Sequence, residues 1–294
     1  MLEFLINPKR AERRPWEMII VGFFYAVIAI LLSIFLFYKS QALEGYSSIF
    51  IITFTVILSI PFVYYLIKLE EKKENLIIEE ESIMKEHGKA LKALIFLFLG
   101  YIIAFSIAFL IMPQDLTSVT FKAQLETYCS VNPGDVQNCQ GNLLSGAATA
   151  VSQLTLKEGL GRVSSILTNN FFVLMTTLML SLLFGAGAIF ILAWNASVIA
   201  TAIGLFSKGS LVNLPGGFLR YLIHGIPEIA AYFVAALAGG IVSIAIIRHG
   251  FKTKEFWHVL KDSMNLIVLA LIILIVAAFV EVFLTPSIIS LLNL

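Results

Sequence analysis

The sequence predicts an all-α integral membrane protein of about seven transmembrane helices, one of them short or broken, with an extracytoplasmic loop carrying a disulfide. Three observations carry that expectation: the composition, apolar runs of spanning length, and charges gathered into a few blocks. The chain is 59% hydrophobic and 13% charged, with a mean hydropathy of +0.92, where soluble domains average about 45–50% apolar and about 25% charged. No soluble fold of this size hides that much apolar surface, so the solvent around it is lipid. The net charge of +1 is uninformative as a total. The placement of the charges sets the topology instead.

A spanning helix needs about 20 mostly apolar residues. The first runs from Met18 to Phe37, with Trp16 at its edge as an interfacial anchor, and it reads as an anchor rather than a cleaved signal because no small-residue cleavage site follows. The second covers Ser47 to Ile67, the third Ala93 to Met112, the fourth Phe171 to Ala193, the sixth Ile229 to Ile247 and the seventh Asn265 to Phe283. Lys9, Arg10, Arg13 and Arg14 place the N-terminus in the cytoplasm. Residues 68–92 then fall on the cytoplasmic side, where apolar residues at helical spacing predict an amphipathic helix running into the third span, with Glu81 and Lys85 set for an (i, i+4) pair. The basic block Arg248, Lys252, Lys254 and Lys261 also belongs inside. On that reading the chain crosses once more between Trp194 and Pro215, as a short and irregular fifth pass, and the C-terminus ends outside. The alternative, a re-entrant hairpin there, would put the Arg248 block outside. Helix breaks are expected at Asn195 and at Gly225 and Pro227, the latter pair just ahead of the sixth span.

Domain organisation follows: an N-terminal three-helix membrane region over 1–112, an extracytoplasmic loop over 113–168, and a C-terminal membrane region over 169–294. The loop holds both cysteines. The Asn132-Pro-Gly-Asp135 turn between Cys129 and Cys139 would bring them together, and an oxidising compartment would join them.

An ionisable residue inside a bilayer is expensive, about 2.5–3.5 kcal/mol at the centre on insertion scales, and is a functional candidate for that reason. With the topology above, Asn169, Asn170, His224, Glu228 and Glu281 all fall in the outer half of the bundle. The structural alternative is that Pro227 opens the sixth helix, Glu228 faces its dipole, His224 bonds at the headgroups and Glu281 snorkels. Taken together the residues favour one buried polar cluster, in which two carboxylates in low dielectric share a proton. Ala231, Ala235, Ala236, Gly239, Gly240 and Ser243 form a small-residue stripe on the sixth span, and Gly185 and Gly187 on the fourth are the expected packing partners.

Catalytic and cofactor signatures are lacking: no His-Glu-x-x-His, no Gly-x-Ser-x-Gly elbow, no Walker or Rossmann loop, and no ligand set for a metal. The expectation is a non-enzymatic protein without cofactor, located in the cell membrane, whose partners are the lipid bilayer and other membrane proteins or a second copy of itself, not nucleic acid.

The C-terminal part resembles the stage II sporulation protein M family of polytopic membrane proteins. The shared elements are Asn169-Asn170, Trp194-Asn195, "HGIPE" at His224 to Glu228, "AGG" at Ala238 to Gly240, and "AAFVEVFLTP" around Glu281. The family usually has Asn-Gly where this chain has Asn195-Ala196. The resemblance implies the multi-pass architecture and the polar positions. The family's namesake works in engulfment, in a membrane complex with cell-wall-degrading partners, and members also occur in organisms that never sporulate. The leading expectation is therefore a scaffold or assembly component of a membrane complex. The rival is a transporter or channel built on the polar cluster.

Overall fold

The computed structural model describes residues 7–37, 43–74, 80–131, 156–207 and 211–291. Among them there is no strand, and seven helices are long and apolar enough to cross a membrane. A short helix α1 (Pro8–Arg13) leads into α2 (Glu17–Phe37), followed by α3 (Ser47–Glu74) and α4 (Glu80–Ile111). Two short helices, α5 (Gln114–Thr120) and α6 (Lys122–Val131), precede the hairpin of α7 (Leu156–Phe184) and α8 (Ile189–Phe206). The chain closes with α9 (Leu214–His249), α10 (Lys254–Phe279), a π-turn over Val280–Leu284, and α11 (Thr285–Leu291).

Close backbone approach organises the N-terminal half. A Cβ on Gly22 of α2 would lie 2.1 Å from the Leu97 carbonyl of α4, and one on Gly100 of α4 would lie 2.3 Å from the Ile19 carbonyl. Only glycine fits either position, and small residues at a crossing are how apolar helices gain contact in lipid, where no hydrophobic effect drives them together. Polar side chains join the same helices. Ser59 of α3 and Tyr101 of α4 share a 2.6 Å hydrogen bond, and Ser33 of α2 donates to the Ser47 carbonyl at 2.9 Å.

In the C-terminal half α9 is the axis. Its spanning segment is 89% buried, against 22% for that of α7. The small-residue stripe does the packing expected of it: a Cβ on Gly239 would meet the Leu178 carbonyl of α7 at 2.8 Å, and Ser181 of α7 hydrogen-bonds the Ala236 carbonyl. Gly240 faces the Ile67 side chain of α3, and Ala235 is fully buried.

Several sequence expectations are corrected. Gly185 is not a packing glycine; no atom lies within 4 Å of its would-be Cβ, and its φ of +63° makes it the reversal between α7 and α8. The chain therefore breaks there and not at Asn195, which lies inside α8 with its amide donating to the Ile191 carbonyl at 2.8 Å. Gly225 and Pro227 do not break the chain either, because α9 runs unbroken from Leu214 through both. Proline inside a helix of a packed bundle is tolerated where neighbouring groups satisfy the freed carbonyl. The fourth span begins well before Phe171, since α7 is helical from Leu156, and so part of the segment expected as outer loop is helix. The helix expected before the third span and running into it is present from Glu80, continuous with that span. On the other side α3 runs on to Glu74, while residues 75–79 and the Glu81 and Lys85 side chains lie outside the described residues.

The basic segments fall where charge counting puts them relative to each other. Arg248 at the end of α9 meets Glu71 at the end of α3, and Glu12 of α1 meets Lys73 beside it at 2.7 Å. These contacts make that end of the bundle its charged end. Cys129 lies in α6, and Cys139 lies outside the described residues.

Candidate intramembrane carboxylate site

Glu228 sits in the body of α9 rather than at its first turn, so the helix-dipole explanation for it does not apply. One turn on, Tyr232 donates its hydroxyl to Glu228 Oε1 at 2.7 Å, and the tyrosine is fully buried. This (i, i+4) placement is the standard way two side chains meet on one helix face.

Glu281 reaches the same place by a different device. It lies in the π-turn between α10 and α11, where the Thr285 amide bonds back to the Val280 carbonyl, five residues earlier. Pro286 explains the turn: it has no N–H to return to Val282, and its ring crowds that carbonyl, so the ladder slips by one residue. The Thr285 hydroxyl closes the turn with a 3.1 Å bond to the same Val280 carbonyl. The Glu281 carboxyl interacts electrostatically with Glu228, and with the Tyr232 hydroxyl. Glu228 and Tyr232 thus pair on α9, and the π-turn that carries Glu281 packs against that helix within the membrane-spanning part of the fold.

The other expected members behave differently. Asn170 is buried on the face of α7 that also carries Leu174, Thr177 and Ser181. Gly159 and Val163 near the start of α7 meet Phe283, Ala278 and Val282 at the far end of α10, so α7 runs antiparallel to α10 and parallel to α9. With Ser181 beside Ala236, Gly239 and Gly240, Asn170 is within about a turn of Glu228 along the axis. Asn169 is exposed and donates to Asn170 Oδ1 at 3.1 Å. His224 belongs to α9, one turn before Glu228, and its side chain lies outside the described residues. Where α7 begins, a Cβ on Gly159 would press on the Phe283 ring at 2.8 Å, and Val163 packs on Ala278 and Val282, which seats the π-turn against α7. Among the described residues no group of three His, Cys, Asp or Glu side chains could hold a metal ion.

Sequence reasoning missed two features. Tyr232 stood in the stretch that carries Glu228, and the (i, i+4) spacing was the available signal. The larger omission is the charged end. Glu70 and Glu71, adjacent at the end of α3, are both fully buried and turn to different neighbours. Glu70 takes Lys73 at 2.7 Å and His87 of α4 at 2.8 Å, while Glu71 takes Arg248 and, at 3.2 Å, His249 of α9. Lys73 also holds Glu12 of α1, whose carboxyl is pushed up to about 7 by burial and by its hydrogen bond to Glu70. Glu17 draws Arg10 and Arg14 to 2.9 and 3.3 Å.

The model of the family described as Stage II sporulation protein M matches residues 93–286, well over half of the chain. The chain belongs to that family. Glu228, Tyr232, Glu281 and Asn170 fall inside the matched region, whereas Glu12, Glu70, Glu71 and His87 lie before it. The chain is similar to an uncharacterized protein of Methanocaldococcus jannaschii, at 34% identity over 129 residues, covering 42% of this chain and 71% of that one. A second uncharacterized protein of the same organism is 31% identical over 136 residues, covering 44% of this chain and 58% of its own length. No solved structure matches the chain.

Proposed function

We propose that this family member is a membrane transport protein whose working centre is the Glu228–Glu281 pair, which takes up and releases a proton or a small cation. The observation that supports the reading is that, inside an apolar bundle, Glu228 accepts the Tyr232 hydroxyl at 2.7 Å while the π-turn carrying a second carboxylate, Glu281, packs against the same helix. One proton or one cation held between the two carboxylates relieves both the like-charge repulsion and the cost of charge in lipid. The π-turn that delivers Glu281 favours the same reading, since such turns recur at functional sites. The test is infrared difference spectroscopy of the protein in bilayers between pH 5 and pH 8, together with dye-reported proton flux in proteoliposomes. A protonated-carboxyl band that vanishes in both Glu281→Gln and Glu228→Gln, with flux lost in each, is expected. Spectra unchanged by either substitution would sink the proposal.

The scaffold reading draws on a separate observation, the outward face of α7, where Phe171, Phe172, Met179, Leu183 and Phe184 are all exposed. In an assembly that face would seat another helix. Site-specific crosslinking from Phe172 in native membranes that yields a discrete protein adduct would favour it, and lipid-only adducts would count against it. Under either reading we place the charged end in the cytoplasm, by the excess of basic residues there, and join Cys129 to Cys139 on the other side. Mass spectrometry of the non-reduced protein should show that bridge; free thiols at both positions would remove it.

A further inference from the structure

We propose that the corner between α9 and α10 binds the phosphate headgroup of an anionic membrane lipid, through Lys254 and Lys261 with Trp257 between them. Position along the helix is the first argument. The outward face of α10 carries Met264, Val268, Ile272 and Val276, all about half exposed, which is the lipid-facing stripe of a spanning helix. Followed toward the charged end, the same face turns to Lys261, His258, Trp257 and Lys254. The change from apolar to basic and aromatic within one helical turn marks headgroup level. Trp257 is 61% exposed, and Trp16, 55% exposed, stands in the same relation to the apolar outer face of α2 that begins at Ile20.

Second, the corner is built rather than loose. Gly250 ends α9 with φ +70°, and Thr253 caps α10, its hydroxyl accepting from the Phe256 amide at 3.3 Å. Buried Phe256 then stacks edge-on against both Phe251, at 5.3 Å, and Trp257, at 5.6 Å, so the indole is held in place. Lys254 and Lys261 are two turns apart on one face, about 10 Å along the axis. Their flexible stems can bring both ammonium groups to one phosphate lying beside Trp257.

Charge balance is the third argument. Lys252, Lys254 and Lys261 make no ion pair among the described residues. Asp262 is buried beside this face, 3.0 Å from His258, and among the described residues Glu255 is the one exposed acid on the α9–α10 corner. Arg248 is already engaged by Glu71. An anionic headgroup supplies a counter-charge that the described residues do not give these lysines, and basic side chains at a membrane surface gain about fivefold each in affinity for such lipids.

The test uses the full chain in nanodiscs of phosphatidylcholine with phosphatidylglycerol titrated in, with retained lipid read by native mass spectrometry. Wild type should keep phosphatidylglycerol in preference to phosphatidylcholine. The double variant Lys254→Gln, Lys261→Gln should lose roughly 30-fold of that preference. Both residues are exposed, and an unchanged thermal midpoint in pure phosphatidylcholine verifies that the variant folds. A second double variant on α1, Lys9→Gln with Arg13→Gln, makes the same change in net charge and should keep the preference. The proposal is overturned if the α1 variant loses as much, which makes the effect bulk charge, or if wild type shows no preference. It is equally overturned if inositol hexakisphosphate binds the corner tightly while lipid retention ignores the lysines, because the occupant would then be a soluble polyanion.

Discussion

Replacing Gly100 by alanine tests the crossing that ties α2 to α4. The new Cβ would stand 2.3 Å from the Ile19 carbonyl oxygen, 2.7 Å from the Phe23 nitrogen and 3.0 Å from Gly22 Cα. A carbon and an oxygen sit at about 3.3 Å in the closest ordinary contacts, so the overlap is about 1 Å. All three atoms are backbone, and no side chain can turn aside to absorb it. The helices must separate by about that distance, and a gap of 0.5–1 Å forfeits roughly a quarter to a half of each dispersion contact along the seam. Met18, Val21, Tyr25, Ala26 and Ala29 of α2 are buried and face that loss. Overpacking of this kind costs about 3 kcal/mol at the upper end of its usual range. Alanine's better helix propensity returns about 1 kcal/mol, leaving about 2 kcal/mol of net destabilisation. Gly88, also in α4, is the control, because nothing lies within 4 Å of its would-be Cβ. Gly88→Ala should therefore stabilise by about 0.5–1 kcal/mol. Reversible unfolding in mixed micelles with increasing sodium dodecyl sulfate, followed by tryptophan fluorescence, measures both. Equal stability of Gly100→Ala and wild type, or a loss in Gly88→Ala to match it, would refute the backbone-contact argument.

The site and the charged end yield further expectations. Glu12 titrates at about 7 when α1 is docked, above the ordinary 4.5. The docked state therefore binds the proton more tightly, and docking is strongest below about pH 4.5, weakens as pH rises to about 7, and is level beyond that. A fluorophore at Arg13→Cys should show rising mobility over that window, and Glu12→Gln should flatten the profile; a wild-type response that is flat from pH 4 to 9 would contradict the assignment. Pro286→Ala restores the missing N–H and should let the π-turn close into ordinary helix, rotating Glu281 by about 100° away from Glu228. Its infrared carboxyl band should then resemble that of Glu228→Gln, whereas a wild-type band in Pro286→Ala would show that proline does not set the turn.

Much of this architecture is local and therefore legible in one dimension. The apolar runs mark the spans because lipid demands about 20 residues of apolar surface wherever the chain crosses. The basic blocks put Arg248 and the N-terminal arginines at one end, and the structure joins those ends through Glu71 and Lys73. Glu228 and Glu281 stand out as candidates because carboxylates in such runs are costly, and the stripe at Ala235, Gly239 and Gly240 stands out by its spacing.

What tertiary structure decided is what depends on partners distant in sequence. Glu70 and Glu71 read as the start of a solvated charged run, yet they are fully buried because Arg248 lies 177 residues away and Glu12, bound through Lys73, lies 61 residues before that lysine. A hydropathy pattern cannot distinguish a hydrated carboxylate from one neutralised by a remote cation. The same limit moved the break from Asn195 to Gly185. Both are plausible punctuation marks, but only the packing of α7 on α9 at Ser181 requires the chain to reverse where a positive φ is available. It also let α9 run straight through Pro227, because a helix enclosed on nearly all sides keeps its course where an isolated one would end. Composition and charge thus determined that this chain crosses the membrane and which ends lie together. Close packing among α7, α9 and the π-turn decided that the turn carrying Glu281 is seated against the helix that carries Glu228 and Tyr232.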